Sequence, residues 1–420
     1  MQVNLTTLAN GLRVASVERP QTETVSFGAW VNTGSAYETS DINGISHFIE
    51  HMVFKGSAKR TAQQISEDIE NVGGQTNAYT SREFTVFYAK MLKNDLELAV
   101  DVISDFILNP TFDTAEMAKE KEVVLQEIKQ TNDDPNDIVF DYFQSKAFAD
   151  QPLGMSILGP AANVRNFDAD KLRNYMNTHY AAENMIFTAV GNLEHQKFVD
   201  MVEKRAQNLQ PKASFSKPRQ TYTGGEFIKV RDTEQAQVLL GFPGVDYHSP
   251  YYYPLTILST ILGGSMSSRL FQEIREKRGL VYSVYSFTNS HINNGLFGIY
   301  AGLNQEEIKN YIPVVADEVK KICNEPVNDQ EFNRVKVQLK ASLLMALESS
   351  ASTAEVVSRQ QLVHNRVLPV SEIVERIDNV SKQDIMTIAQ KVFSGKPTYT
   401  LMGNLGQYPN YEQIEKYFHL

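Results

Sequence analysis

His47-Phe48-Ile49-Glu50-His51-Met52-Val53-Phe54-Lys55-Gly56-Ser57 is matched in pattern, 208 residues later, by Leu255-Thr256-Ile257-Leu258-Ser259-Thr260-Ile261-Leu262-Gly263-Gly264-Ser265. The first copy carries chemistry and the second does not. On a helix, positions i and i+4 stack on one face, so the imidazoles of His47 and His51 can reach one metal ion. Glu50 lies one turn from His47 and beside His51, where its carboxylate can stand next to the metal without ligating it. A hydrolytic zinc site takes three protein ligands and keeps a fourth position open. The first five residues supply two ligands and a base, and the third ligand must come from elsewhere.

Two further correspondences run in the same order at nearly the same offset. Asn109-Pro110 with Asp113 and Glu116 is echoed by Pro326, Asp329 and Glu331. Val190-Gly191-Asn192-Leu193 recurs as Met402-Gly403-Asn404-Leu405, an offset of 212. Together they indicate two copies of one fold. On this alignment His47 and His51 map to Leu255 and Ser259, Glu50 to Leu258, and Glu127 to about Ser342, so the second copy keeps the fold and lacks the metal site. The polar, proline-bearing stretch Gln210 to Pro218, followed by Gly224-Gly225, marks the boundary. The expected organisation is a metal-binding domain over 1–210, a linker over 211–223 and a homologous non-catalytic domain over 224–420.

Thr24 to Thr33, Phe84 to Ala89 and Asn184 to Val190 read as strands, and Thr61 to Val72, Asn94 to Leu108 and Asp113 to Thr131 as helices. Asp113 with Glu116 forms a helix-start signature, and Pro135 stands just beyond the expected end. Strands and helices do not alternate strictly. The expected class is α+β, with each domain a mixed or antiparallel sheet and helices packed on one side.

The chain of 420 residues is long enough for two cores, and 42% apolar with 21% charged residues is a globular composition. Its net charge of −10 argues against nucleic acid as a partner. No apolar run is long enough to span a bilayer. The lone Cys323 excludes an intrachain disulfide framework and suits a reducing compartment. Met1 to Val14 reads as a strand turning at Asn10-Gly11 rather than as a signal peptide, so a cytoplasmic, bacterial setting is expected.

For the third ligand, the helix from Asp113 to Thr131 offers Glu120 and Glu127, seven apart and therefore on one face. Its apolar neighbours Val123, Val124 and Ile128 suggest partial burial, and buried carboxylates need a partner. Chemistry alone does not choose between Glu120, Glu127 and other acids.

With Glu127 placed 76 residues after His51 in Val123-Val124-Leu125-Gln126-Glu127-Ile128, the sequence resembles the pitrilysin and mitochondrial-processing-peptidase family of zinc peptidases, in particular bacterial homologues of the processing-peptidase β subunit. The resemblance implies His47, His51 and Glu127 as ligands of one Zn2+ per chain and Glu50 as general base. It implies Glu120 as the carboxylate that orients a ligand histidine. Gly73 to Ser81 matches the family's edge strand, where a peptide substrate adds as an extra strand, with Asn77 and Ala78 as contacts. Arg275 and Tyr282, in Arg275-Glu276-Lys277-Arg278-Gly279-Leu280-Val281-Tyr282, match an Arg-Tyr pair that holds the substrate carbonyl and the oxyanion. In relatives twice this length that pair comes from the other half. A chain of this length would take it from a second copy, which implies a homodimer with a shared chamber. The non-catalytic α subunit of the processing peptidase has a long glycine-rich loop. The matching stretch Leu262 to Ser268 has only Gly263-Gly264, as expected of a self-sufficient protease.

The expectation is therefore a zinc endopeptidase acting on unfolded peptides or oligopeptides. Two alternatives come from other classes. A structural subunit of a respiratory complex predicts missing ligands, whereas all of them are present. A peptide-binding module with structural zinc predicts a closed, usually cysteine-bearing site.

Overall fold

The computed structural model describes residues 2–419. Met1 and Leu420, the outermost positions of the two expected halves, lie outside the described residues.

The first half runs β1 (Asn4–Thr7), β2 (Arg13–Glu18), β3 (Thr24–Val31), α1 (Ile45–Val53), α2 (Ala62–Glu70), β4 (Gln75–Thr80) and β5 (Thr85–Leu92). It continues with α3 (Leu96–Leu108), α4 (Thr114–Asp133), α5 (Pro135–Ala147), α6 (Ala161–Asn166), α7 (Ala169–His179), β6 (Met185–Gly191) and α8 (His195–Ala206). The second half runs β7 (Gly225–Val230), β8 (Ala236–Pro243), α9 (Tyr252–Gly263), β9 (Val281–Ser290), β10 (Gly295–Leu303) and α10 (Ile308–Asn324). It ends with α11 (Asp329–Ala346), α12 (Ser350–His364), α13 (Val370–Asp378), α14 (Lys382–Phe393), β11 (Thr398–Gly403) and α15 (Tyr411–Phe418).

The repeat seen in the sequence is a repeat of topology. One sheet has the order β1-β2-β6-β3-β5-β4 and the other β7-β11-β8-β10-β9. In each, a single parallel pair (β2 with β6, β7 with β11) is followed by antiparallel neighbours. Among the described residues, β1 alone has no counterpart. The class is the expected mixed α+β fold in two similar copies.

The compact units are not two continuous halves. One gathers the chain through Ile128, Met155–Pro218 and Leu343–Val370; the other gathers Lys129–Gly154, Arg219–Ser342 and the chain from Ser371 on. Each half thus gives one helix to the other half's sheet. In the first unit, Val25, Phe27, Ala29 and Val31 of β3 face the main core with Phe48 of α1, Phe106 of α3 and Phe198 of α8. Trp30, on the opposite face by strand alternation, packs with Ala354 and Val357 of α12. In the second unit, Phe242 and Phe297 meet Phe393 of α14. Phe287 and Tyr300 meet Phe140 and Phe143 of α5. The expected helices on one side are joined by one exchanged helix on the other. The physical reason is the apolar second face: Ile186 and Val190 of β6 point there and need cover. No local sequence pattern says which half supplies that cover.

The stretch leading to Pro218 lies along the first unit. Ser214 N donates to Thr178 O, and the Phe215 ring stacks 4.1 Å from that of His179.

Candidate metal centre

Helix α1 buries Ile45, Phe48, Ile49, Met52 and Val53, the i, i+3, i+4 stripe that faces the core. That stripe turns His47, Glu50 and His51 away from the core together. The helix starts at Gly44, whose φ of 96° is left-handed and whose residue type offers no capping side chain. Glu38 supplies the missing acceptors. Its carboxylate accepts from Gly44 N at 2.7 Å, Ser46 N at 2.8 Å and Asn43 Nδ2 at 2.9 Å. Burial pushes the Glu38 carboxyl up, and the bonds from Gly44 and Ser46 pull against that push. Asp113 caps α4 by accepting from the backbones of Ala115 and Glu116, while the Glu116 carboxylate turns to Lys119.

Across from α1, α4 buries Met117, Glu120 and Val124 and presents Glu127 one turn beyond. Among the described residues one group has the ligand atoms to hold a metal: His47, His51 and Glu127, all within 4.8 Å of one another. Glu127 Oε2 stands 3.7 Å from His47 Nε2 and 3.5 Å from His51 Nε2. These separations are long for hydrogen bonds. They match the roughly 3.4 Å edge of a tetrahedron of ligands about 2.1 Å from a zinc ion. Burial and the neighbouring His51 lower the His47 pKa to about 3, which keeps its ring neutral and its lone pair available. His47 Nδ1 is buried without a hydrogen-bond partner. The donor set, two imidazole nitrogens and a carboxylate oxygen, fits zinc.

Glu120 stands behind the cluster. Its Oε1 lies 2.7 Å from His51 Nδ1, and its Oε2 2.8 Å from Lys55 Nζ. Burial alone would raise the Glu120 carboxyl, but the bonds from His51 and Lys55 outweigh it and hold the group below the usual carboxylate range. A carboxylate on Nδ1 directs the His51 Nε2 lone pair toward Glu127 and His47. Burial works against charging His51, yet the Glu120 bond and the Glu127 charge hold its pKa above the ordinary value.

Glu50 accepts a 2.6 Å hydrogen bond from Thr80 Oγ1 of β4. Burial raises its carboxyl above the usual range, opposed by the Thr80 bond and His51. Asn77 and Ala78 lie on β4, which is an edge strand of its sheet. Arg275 and Tyr282 belong to the second unit. Arg275 is exposed, with its guanidinium 4.8 Å from the Phe271 ring centre. Tyr282, 53% exposed at the start of the edge strand β9, donates to Asn304 Oδ1 at 3.1 Å.

Residue-level reading passed over Glu38, Lys55 and Thr80. Glu38 had a signal: a helix opening at glycine needs an outside acceptor, and Glu38 is an acid a few residues before it. Thr80 was legible only as one of many strand threonines.

Residues 13–161 match the family described as Insulinase (Peptidase family M16), and residues 166–339 match the Peptidase M16 inactive domain. This chain belongs to the M16 peptidase family. An uncharacterized zinc protease of Rickettsia felis is 37% identical over 95% of this chain and 97% of its own length. The mitochondrial-processing peptidase subunit beta of Lentinula edodes is 34% identical over 98% of this chain and 92% of its own. The crystal structure of a protease from Helicobacter pylori superposes with a TM-score of 0.90 at 21% identity, covering 96% of this chain and 99% of that one, which shows a shared fold. The M16 inactive-domain match includes α9, which carries Leu255, Leu258 and Ser259, all buried, where α1 carries His47, Glu50 and His51. Among the described residues no helix is long and apolar enough to cross a membrane.

Proposed function

We propose that this M16 family member is a zinc-dependent endopeptidase that cleaves unfolded peptides. The observation that carries the reading is the convergence of His47, His51 and Glu127 at tetrahedral-edge spacing beside a half-buried, hydrogen-bonded Glu50. His47, His51 and Glu127 would hold the ion. When bound, zinc acidifies water and polarises the scissile carbonyl.

The chain's own residues do the rest. β4 binds the peptide main chain as an added strand at Asn77 and Ala78. The Thr80 hydroxyl fixes the rotamer of Glu50. Glu50, its basicity raised by burial, takes the proton of the attacking water and passes it to the leaving amine nitrogen as the C–N bond breaks. Glu120 holds the His51 ring in place. Arg275 and Tyr282 of a second copy donate to the oxygen of the tetrahedral intermediate. The working form is then a homodimer enclosing a shared chamber, in a cytoplasmic setting. The structural-subunit alternative loses its motive, because a chain without catalysis has no need of Glu50 and Thr80 arranged beside a complete ligand set.

The test is Glu50→Gln with zinc measured in the same preparation. A zinc-loaded variant that loses cleavage by on the order of 10²- to 10⁴-fold supports the base. Wild-type cleavage by that variant, or cleavage indifferent to a chelator that strips the metal, overturns the reading.

A further inference from the structure

The edge strand has two faces, and the mechanism uses only one. Thr80 and Ala78 stand on the α1 side, where Thr80 holds Glu50 and Ala78 packs against the main core. Gln75, Asn77 and Tyr79 stand on the opposite side. There the exchanged helix α12 packs on β6, β3 and β2 and meets β5 and β4 at its margin, through Val86 and Tyr79. The result is a cavity of about 680 Å³ walled by Trp30, Asn77, Tyr79, Tyr88 and Glu355, with Lys90 at its exposed rim.

The walls are built and largely neutralised. Glu355 Oε2 accepts from Trp30 Nε1 at 2.8 Å and from Tyr79 Oη at 2.7 Å. Its Oε1 lies 3.1 Å from Arg359 Nη2. Both carboxylate oxygens are therefore engaged, and the surface left to the cavity is mainly aromatic. The Trp30 ring lies over Gly28, where a Cβ would meet it at 2.8 Å, so the ring is held flat against the sheet as one wall.

We propose that this cavity is a specificity site for large apolar side chains of the peptide substrate. The inference rests on β4 being the strand to which the substrate adds. A peptide strand paired outside β4 continues the sheet's alternation. Residues whose side chains stand on the α1 face lie over the metal and Glu50. Their immediate neighbours stand beside Asn77 and Tyr79, with the cavity behind them. Residues i and i+2 of that second set are about 7 Å apart, and the volume takes two bulky side chains of that spacing. The engaged Glu355 gives little to a substrate arginine or lysine. The aromatic walls favour Phe, Leu, Ile or Met.

Trp30 is the only tryptophan of the chain, so its emission reports on the cavity directly. The test uses zinc-loaded Glu50→Gln full-length protein and a peptide series in which each position in turn carries Phe, Leu, Lys or Ala. The expected result is a change in Trp30 emission and about tenfold tighter binding for Phe or Leu over Ala at alternate positions, the scale set by burying a few methylenes. Ala351 lines the cavity from an exposed position on α12. Ala351→Phe should cut that Phe-over-Ala ratio at least severalfold. Tyr88→Ala, which widens the cavity, should shift the preference toward larger side chains, and it covers the case in which the first variant folds poorly. Cleavage by the Glu50-bearing protein is measured on the same peptides. Peptides that bind or are cleaved with a ratio unmoved by both variants, or with a preference for Lys, overturn the cavity assignment and leave the peptidase reading intact. Peptides that neither bind nor are cleaved overturn both.

Discussion

The two halves of this chain build the same sheet from different commitments. Both place a parallel pair next to antiparallel neighbours, and both use an arginine just after the first strand of that pair as a helix cap. Arg19 donates to Leu347 O and Glu348 O at the end of α11, and Arg231 to Asn132 O and Asp133 O at the end of α4. The halves part at the helices that follow β3 and β8. In α1 the face turned from the core carries His47, Glu50 and His51, while in α9 the matching positions are Leu255, Leu258 and Ser259, all buried. Each long helix buries a glutamate, at positions that do not correspond. Glu120 of α4 is tied to His51 and Lys55, behind the His47, His51 and Glu127 group, whereas Glu331 of α11 forms a paired bond with Arg269. The fold is therefore indifferent to the site. Architecture is held in common, and chemistry depends on a few polar side chains placed on a scaffold that is stable without them.

The comparison can be broken most sharply at Glu50. Glu50→Leu gives the first half the residue of the second. Peptide cleavage should fall by about 10³-fold, within the range for loss of a general base. Stability in urea should stay within about 1 kcal/mol, because a half-buried carboxylate is exchanged for an apolar side chain of similar size. A large stability loss would show that the first half needs its site to fold.

The reverse exchange, Leu258→Glu, puts an acid at a fully buried position with no metal cluster beside it. It should destabilise the protein by about 3 kcal/mol or more, read from the shift of the urea midpoint. A neutral effect would mean that α9 has more room for a site than its packing indicates.

Glu120→Gln sharpens the difference between the two buried glutamates. It keeps shape and removes charge behind His51, so zinc affinity should weaken about 10- to 100-fold with cleavage recovered at excess metal. Competition with a metallochromic chelator measures it. Unchanged affinity would reduce Glu120 to the structural role of Glu331.

The smallest expected effect is electrostatic. Asp101 of α3 is bonded to Arg60, Lys59 and Arg205 in the first unit. Burial would raise its carboxyl, but the three cations prevail and hold it down to about 2, against 3.8 ordinarily. A folded-state pKa below the unfolded value means stability that is present above about pH 4 and lost as pH falls toward 2. The contribution is about 1 kcal/mol after solvent screening. Asp101→Asn should flatten that acid limb in melts between pH 4 and pH 2; an unchanged limb would place the acid sensitivity elsewhere.

Much of this was legible in one dimension because it is local. The i, i+4 histidines, the apolar stripe beneath them and the helix over Asp113 to Thr131 follow from periodicity alone. The duplicated fold showed itself in matched turns such as Val190-Gly191-Asn192-Leu193 and Met402-Gly403-Asn404-Leu405. Edge placement of Gly73 to Ser81 came from family resemblance, and the sheet order puts β4 at an edge. What escaped was non-local. Thr80 meets Glu50 across 30 residues, and Glu355 meets Tyr79 across 276. Neither of these pairs has a characteristic spacing.

By itself, then, the sequence determined which residues can share a helix face: His47 with His51 and Glu50, and Glu120 with Glu127. It also determined that a second copy lacks them, since hydrogen-bond geometry makes helical period a property of the local chain. Helical period left open which of the two glutamates faces the histidine nitrogens; the resemblance named Glu127, and the tertiary structure puts Glu127 toward them and Glu120 behind. It likewise decided that α5 and α12 change sheets. Those outcomes depend on how distant apolar faces are covered, and burial rewards any segment that covers them, wherever it lies in the chain.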